Sequence, residues 1–444
     1  MIEISPEVVA VLMLGGIFVG VLLGYPLALS VGGVGIVIAI LLFGPTLSGE
    51  LYYGRFFSGL ENYVLLAVPS FIFMGTMLEH SGVAEGMYDA LYLSFGGLKG
   101  GLAVTTILIG TVVAACVGII GASVTMLALI ALPAMINRGY DRSIAAGCVA
   151  GGGSLGILIP PSVMLVVYGP MANLSVGKLF FGAFMPGFLL SGMYMAYILI
   201  RCAIQPNLAP SVPASERNVP VSVKLYKLAK SMLPPVLLIL AVLGSIFFGI
   251  AAPTEAAGVG ALAATLLALG YRRLDWHVLK RTAMSTVRTS GMVLLIGAMA
   301  FAFVGVFMRA NCDEVVTNAL LSAPGGKWGA FFIIMLICFL LGFLIDWLGI
   351  IFIMVPIVTP IAAAVGFDPL WFAMMICVNL QMSFMTPPFA YALFYIKGAA
   401  DPQLGVTTEH IIAGMIPYVI IIVLALLLCI AFPQIILWLP SMML

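Results

Sequence analysis

The sequence predicts an all-α polytopic membrane protein built from two inverted-topology repeats, each with a re-entrant helical hairpin and a broken transmembrane helix. Three observations carry this. First, 63% of the 444 residues are hydrophobic and only 8% are charged, whereas a soluble chain needs roughly a quarter of its residues charged to cover its surface. Second, apolar runs of the length that crosses a bilayer core, about 20 residues, recur from end to end. Third, one gapless register relates the two halves. Pro26 pairs with Pro253, Gly33 with Gly260, Pro133 with Pro360, Gly139-Tyr140-Asp141 with Gly366-Phe367-Asp368, Pro160-Pro161 with Pro387-Pro388 and Tyr168 with Tyr395, all at an offset of 227 residues.

The copies run over residues 1–200 and 232–444, joined by a linker at 201–231 rich in Pro, Ser and Lys. Loops rich in Lys and Arg stay cytoplasmic, so charge placement orients each copy. Copy one opens with Glu3 and Glu7, copy two with Lys224, Lys227 and Lys230 just ahead of it. After the first apolar pair, Glu50, Arg55 and Glu61 stand against Arg272, Arg273, Asp275, Lys280, Arg281 and Arg288. Arg138-Gly139-Tyr140-Asp141-Arg142 stands against Val365-Gly366-Phe367-Asp368. The signs are opposite, so the copies are inverted and the linker is cytoplasmic.

Taken in order, residues 8–43 and 233–270 read as helix pairs, and 63–80 and 289–308 as single spans. Acids rather than Lys or Arg precede the first pair, so it is expected to stay in the mature protein rather than leave as a signal peptide. Residues 85–99 alternate Glu85, Asp89 and Lys99 with Met87, Leu91, Tyr92, Leu93 and Phe95, as an interfacial amphipathic helix does. Residues 100–137 and 328–365 are too long for one crossing at about 1.5 Å per residue and are interrupted by Gly or Asp at their centres, which predicts re-entrant hairpins. Broken helices follow at about 144–170 and 370–397.

The chemistry concentrates at those interruptions. Ala150-Gly151-Gly152-Gly153-Ser154 through Ile159-Pro160-Pro161-Ser162 lies in the middle of one apolar segment, and Asn379-Leu380-Gln381-Met382-Ser383-Phe384-Met385-Thr386-Pro387-Pro388 in the middle of the other. Gly lowers helix propensity and Pro removes a backbone donor, so unwinding is expected at both. A packing kink is the plainer alternative for either stretch alone. Unwound main chain in lipid costs several kcal/mol per unmet group unless protein or a polar cavity meets it. Carbonyl dipoles suit a cation and helix N-termini an anion. The hairpin centres are Gly118-Ile119-Ile120-Gly121-Ala122-Ser123-Val124-Thr125 and Gly342-Phe343-Leu344-Ile345-Asp346-Trp347-Leu348-Gly349. Ser123 and Thr125 also read as back-bonded helix hydroxyls. Asp346, an ionisable group at membrane depth, is a functional candidate for holding the tip or a cation, with helix capping at a water-exposed tip as the alternative. Thr254 and Glu255 read as a structural helix start. Arg309, Asp313 and Glu314 read as a solvated loop.

Residues 130–169, with Pro133-Ala134-Met135, Arg138-Gly139-Tyr140-Asp141 and Leu155-Gly156-Ile157-Leu158-Ile159-Pro160-Pro161-Ser162, closely resemble the large membrane subunit of tripartite ATP-independent periplasmic (TRAP) transporters. So do Pro253-Thr254-Glu255-Ala256-Ala257, residues 341–360 and residues 379–398. The resemblance covers nearly the whole chain. It implies an elevator-type, sodium-driven transporter of the bacterial inner membrane. It also implies a separate small membrane subunit as partner and a periplasmic binding protein that delivers an organic acid, carboxylate or sulfonate. No cofactor is implied beyond two or more coupling sodium ions, and no transition metal. The cation ligands it implies are Gly118, Gly121, Ala122 and Ser123 facing Gly152, Gly153, Ser154 and Gly156, and Asp346 and Gly349 facing Asn379, Met382 and Thr386. The substrate ligands it implies are Ser123, Thr125, Ser154, Pro160, Asn379, Gln381, Thr386 and Pro387. The family often has Ser-Gly-Ser at the first tip; here Gly121-Ala122-Ser123 leaves one hydroxyl ligand open to replacement by a backbone carbonyl.

Other classes fit less well. The net charge of +1 gives no basic face for nucleic acid. The seven cysteines form no CxxC pair and read as small core hydrophobes. Gly152-Gly153-Ser154-Leu155-Gly156 matches GxSxG, the motif of an intramembrane serine protease, but His80, His277 and His410 all fall at span ends, out of reach as a base. An ion channel needs a ring of carbonyls or charges that one inverted repeat with a single buried acid does not offer. No GxxxxGK[ST] motif is present, which disfavours ATP drive.

Overall fold

The computed structural model describes residues 4–118, 120–213, 219–387 and 390–443, and no strand occurs among them. Helix α1 (Pro6–Leu22) and α2 (Leu27–Phe43) are separated where Gly24 takes a φ of +85° ahead of Pro26. Next comes α3 (Pro45–Leu60), a helix at a place where Glu50 and Arg55 had read as a loop. Its mixed face is what hid it. Tyr52 donates a 2.6 Å hydrogen bond to the Gly32 carbonyl and ties α3 to α2. Helix α4 (Ala67–His80) follows a short 3-10 turn at Tyr63–Leu66. The amphipathic segment forms α5 (Val83–Phe95), but Met87, Tyr88 and Leu91 are buried in protein rather than dipped into lipid.

The first long segment is a hairpin of α6 (Gly101–Val117) and α7 (Ile120–Ile136); Ile119, at its tip, lies outside the described residues. Then come α8 (Arg142–Ser154), α9 (Val163–Ala172) and the 29-residue α10 (Val176–Ile204). The second half holds α11 (Val221–Phe247), α12 (Pro253–Gly270), α13 (Trp276–Arg309), α14 (Cys312–Leu321), α15 (Gly326–Leu341), α16 (Trp347–Ala364), α17 (Pro369–Met385), α18 (Tyr391–Ala399), α19 (Thr408–Ala431) and a short α20 (Gln434–Leu437). Among the described residues seven helices are long and apolar enough to cross a membrane, and an eighth span counts if α14 and α15, bent by 120°, are taken together.

Two expectations are corrected here. The basic segment after Arg273 is helical: α13 runs for 34 residues because Asp275 caps it, accepting from the Val278 amide at 2.6 Å, and because Thr282, Thr286 and Ser290 form a buried face ahead of the apolar stretch. Asp313 and Glu314 sit in the first turn of α14 rather than in a loop, where acids are favoured by the helix dipole. Glu255 does start α12, accepting from the Ala252 amide at 2.8 Å, whereas the Thr254 hydroxyl is buried without a partner.

The Gly-aromatic-Asp turns position the two interrupted helices. Gly139 (φ +79°) and Gly366 (φ +85°) end one helix in the left-handed region where Gly costs nothing. Tyr140 and Phe367 are then buried, and the aspartate caps the next helix. Asp141 accepts from Ser143 and Ile144 at 2.9 and 3.1 Å, and Asp368 from Trp371 at 2.9 Å. Two packing groups result. Helices α12, α13 and α4 pack together with α2 and α3, while α8 packs among α6, α7 and α19, and α17 packs against α15 and α19. The six described cysteines are buried and free.

Candidate transport site

Both interruptions exist, and both begin later than expected. Helix α8 stays helical through Gly151-Gly152-Gly153-Ser154, and the chain leaves α-helix only at Leu155, through a 3-10 turn at Leu155–Ile157 and a turn and bends over residues 158–161 that end at the extended Ser162. The glycines serve close packing, not unwinding. A Cβ on Gly151 would strike the Tyr418 ring, one on Gly153 the Val124 side chain, and one on Gly110 of α6 would come within 2.7 Å of the Gly152 backbone. In the second half α17 is continuous through Asn379, Gln381 and Met382 and ends at Met385, so the break opens only at Thr386 and Pro387. Pro388 lies outside the described residues.

The hairpin ends meet these breaks. Gly118 has a φ of +64°, and a Cβ there would lie 3.3 Å from the Val163 amide nitrogen and 3.6 Å from the Pro161 carbonyl oxygen. Gly342 approaches the Ser383 hydroxyl so closely that no Cβ fits. Each hairpin also reaches the other half: α7 packs on α18, and α16 packs on α9. The Tyr395 ring of α18 covers Gly121, with a Cβ on that glycine 2.8 Å from ring atom Cζ. Tyr391 and Tyr395 are also the tyrosines that lie near the Asp346 carboxylate. Helix α18 therefore joins one hairpin tip to the other. Four helix starts, at Ile120, Val163, Trp347 and Tyr391, gather in this region. The first amides of each helix have no intrahelical acceptor.

The predicted side chains divide into three kinds. Some are occupied locally. Ser154 donates to the Gly151 carbonyl at 2.9 Å, Ser383 to Leu380 at 2.8 Å and Thr386 to Met382 at 2.8 Å. Asn379 donates to the Met335 carbonyl at 2.8 Å and pins α17 to α15. Others line the helix starts: Gly121, Ala122, Ser123 and Thr125 lie in the first turns of α7, with Ser123 buried, and Asp346 is the N-cap of α16 beside the Trp347 and Leu348 amides. Gly156 and Pro160 are buried in the first break, Gly349 is buried at the start of α16, and Met382 is half-buried on α17. Gln381 stands alone: it is fully buried, and neither its amide oxygen nor its nitrogen has a hydrogen-bond partner. A buried amide in that state is costly.

Sequence reasoning missed the role of Tyr391 and Tyr395. The signal was present, since Tyr395 is the mate of Tyr168, whose hydroxyl is buried without a partner on α9. The serine-protease alternative has no geometry behind it. The Ser154 hydroxyl is committed to Gly151, His80 to the Thr76 carbonyl at 2.7 Å and His410 to Thr407, and His277 is exposed at the start of α13.

A multi-pass helical fold whose hairpin ends and helix breaks converge in this way defines a membrane transporter. A family model described as the DctM component of tripartite ATP-independent periplasmic transporters matches residues 14–435, and the chain belongs to that family. It is 30% identical to the C4-dicarboxylate TRAP transporter large permease protein DctM of Pseudomonas aeruginosa, across 91% of this chain and 92% of that one. It is 29% identical to the sialic acid TRAP transporter large permease protein SiaM of Vibrio cholerae, across 97% of each. The fold is similar to the crystal structure of the Alcanivorax borkumensis YdaH transporter, with a TM-score of 0.62 at 16% identity over 89% of this chain and 90% of that one. The family is one of transporter permeases, not enzymes.

Proposed function

We propose that this chain is the large transmembrane subunit of a sodium-coupled importer of an organic acid anion, carboxylate or sulfonate, working by an elevator mechanism in the bacterial inner membrane. A small membrane subunit and a periplasmic binding protein complete the transporter. Residues 1–200 and 232–444 are inverted copies joined by a cytoplasmic linker at 201–231. The single observation that carries the reading is the gathering of four helix starts between the two hairpin ends and the two breaks. Helix N-termini carry partial positive charge, so such a cluster favours an anion. Carbonyls around Gly118 and Pro161, with the Asp346 carboxylate and the Gln381 amide oxygen, are the hard oxygen ligands that a sodium ion takes. The relatives named for C4-dicarboxylate and sialic acid handle carboxylates, which supports the substrate class. The hairpins and interrupted helices move as one body against α1–α4 and α11–α13.

The test is reconstitution into liposomes with the small subunit and binding protein, using a panel of carboxylates and sulfonates. Accumulation is expected only with an inward sodium gradient and with the binding protein present. Equal uptake in sodium-free medium would overturn sodium coupling, and uptake without saturation would return the ion-channel alternative.

A further inference from the structure

Helix α13 has two faces with different destinations. Thr282, Thr286, Ser290, Val293 and Gly297, spaced three or four apart, are buried against the protein. At the same spacing on the opposite face stand His277, Arg281, Met284, Arg288, Met292 and Leu295. At 34 residues the helix is about 51 Å long, well beyond the roughly 30 Å hydrocarbon core. Its final 21 residues, from Thr289 to Arg309, suffice to cross that core. The basic end therefore lies at the bilayer interface. Trp276, 77% exposed at the helix start, marks the same depth, because indole rings favour the headgroup region.

The side chains of His277, Lys280, Arg281, Met284, Ser285 and Arg288 enclose an open hollow of about 580 Å³. Arg281 has the Glu79 carboxylate of α4 nearby. Lys280 and Arg288 make no hydrogen bond or ion pair among the described residues. Beyond the hollow the same face turns apolar and open, with Met292 and Leu295 exposed and nothing within 4 Å of a Cβ on Gly291. Cations and a hydroxyl at interface depth, followed by an open apolar track toward the bilayer centre, match one kind of molecule from end to end.

We propose that this face of α13 is a binding site for an anionic glycerophospholipid, its phosphodiester held by Lys280, Arg288 and the Ser285 hydroxyl and its acyl chains laid along Gly291, Met292 and Leu295. The site is separate from the transport site and does not depend on the substrate or coupling ion assigned above. A water-soluble polypeptide with acidic side chains would satisfy the cations but has no need of the continuous apolar track, and a membrane-embedded one is told apart by the labelling experiment below.

The full-length chain, purified in detergent and stripped of lipid, is titrated with phosphatidylglycerol or phosphatidylcholine of identical chains and read by native mass spectrometry. Phosphatidylglycerol is expected to bind in preference. Lys280→Gln or Arg288→Gln alone should weaken it about fivefold and the pair about 25-fold. Lys178→Gln, an exposed charge on α10, should leave it unchanged. All these positions are exposed or half-buried with no structural partner, and if the pair fails to fold, Arg288→Gln alone decides. Equal retention of both lipids, wild-type retention by the variants, or displacement by glycerol phosphate would overturn the proposal. So would a photoreactive residue at Met284 that, in membranes, labels a polypeptide instead of lipid.

Discussion

The Tyr395 ring lies directly over Gly121, so that the first turn of one hairpin helix is roofed by the helix following the opposite half's break. A methyl group on Gly121 would sit 2.8 Å from Cζ and 3.0 Å from Cε1 of that ring, closer than carbon atoms tolerate. Gly121→Ala is therefore expected to lower stability by about 1–3 kcal/mol and to reduce uptake sharply, because the ring also neighbours Asp346. Tyr395→Leu removes the obstructing atoms, so the double variant should lose less stability than the two single losses summed. Thermal unfolding in detergent and uptake in liposomes check both. Strict additivity would mean that the contact is not what constrains the pair.

The approach of α6 to α8 makes a matched comparison possible. A Cβ on Gly110 would come within 2.7 Å of three backbone atoms of Gly152, whereas one on Gly192 of α10 meets nothing within 4 Å. Backbone cannot rotate away as a side chain can. Gly110→Ala should cost about 1–3 kcal/mol, while Gly192→Ala should be neutral or slightly stabilising, since Ala exceeds Gly in helix propensity by about 1 kcal/mol. Melting temperatures of the two variants in the same detergent separate the outcomes.

How much of this was legible in the sequence varies with the kind of signal. The hairpins could be read because a 38-residue apolar run cannot cross once, and Gly118 and Asp346 mark where each turns. The interrupted helices could be read because a double proline recurs at one offset in both halves with Ser, Thr, Asn or Gln around it; a proline pair alone does not end a helix here, since Pro234-Pro235 lie inside α11. Their exact extent could not, because Gly151-Gly152-Gly153 looks the same whether it unwinds a helix or lets Tyr418 and Val124 approach it; only the partners distinguish the two. Helix α3 was missed because its apolar positions are interspersed with Glu50 and Arg55 and its burial is supplied by α13. The roof formed by Tyr395 depends on contacts between residues 274 positions apart in the chain, which no local pattern reports.

Gln381 separates function from packing more cleanly than the other polar residues on α17. Asn379 and Ser383 make hydrogen bonds within the protein, so their loss confounds stability with transport. Gln381 makes none, though fully buried. Replacing an unpartnered buried amide by an apolar group of similar size is neutral or stabilising. Gln381→Leu should therefore keep or raise the melting temperature while sodium-driven uptake is lost. Normal transport by a well-folded Gln381→Leu protein would remove the residue from the proposed site.

Asp346 allows its two roles to be told apart because N-caps are interchangeable and charges are not. It holds the N-cap position of α16 at the end of the α15–α16 hairpin without a side-chain capping bond, with the Trp347 and Leu348 amides nearby, and Asn and Ser serve about as well as Asp at such a position, within a few tenths of a kcal/mol. If capping were its whole contribution, Asp346→Asn and Asp346→Ser would transport like the parent, and Asp346→Ala would lose about 1 kcal/mol of stability. If the carboxylate neutralises a bound cation, Asp346→Asn keeps the fold and the melting temperature yet needs far more sodium for half-maximal uptake. The second result is expected, since the carboxylate lies near Tyr391 and Tyr395 on α18, the helix whose Tyr395 ring also covers Gly121 of the other hairpin. Sodium titrations of uptake for the three variants, each with its melting curve, decide between them.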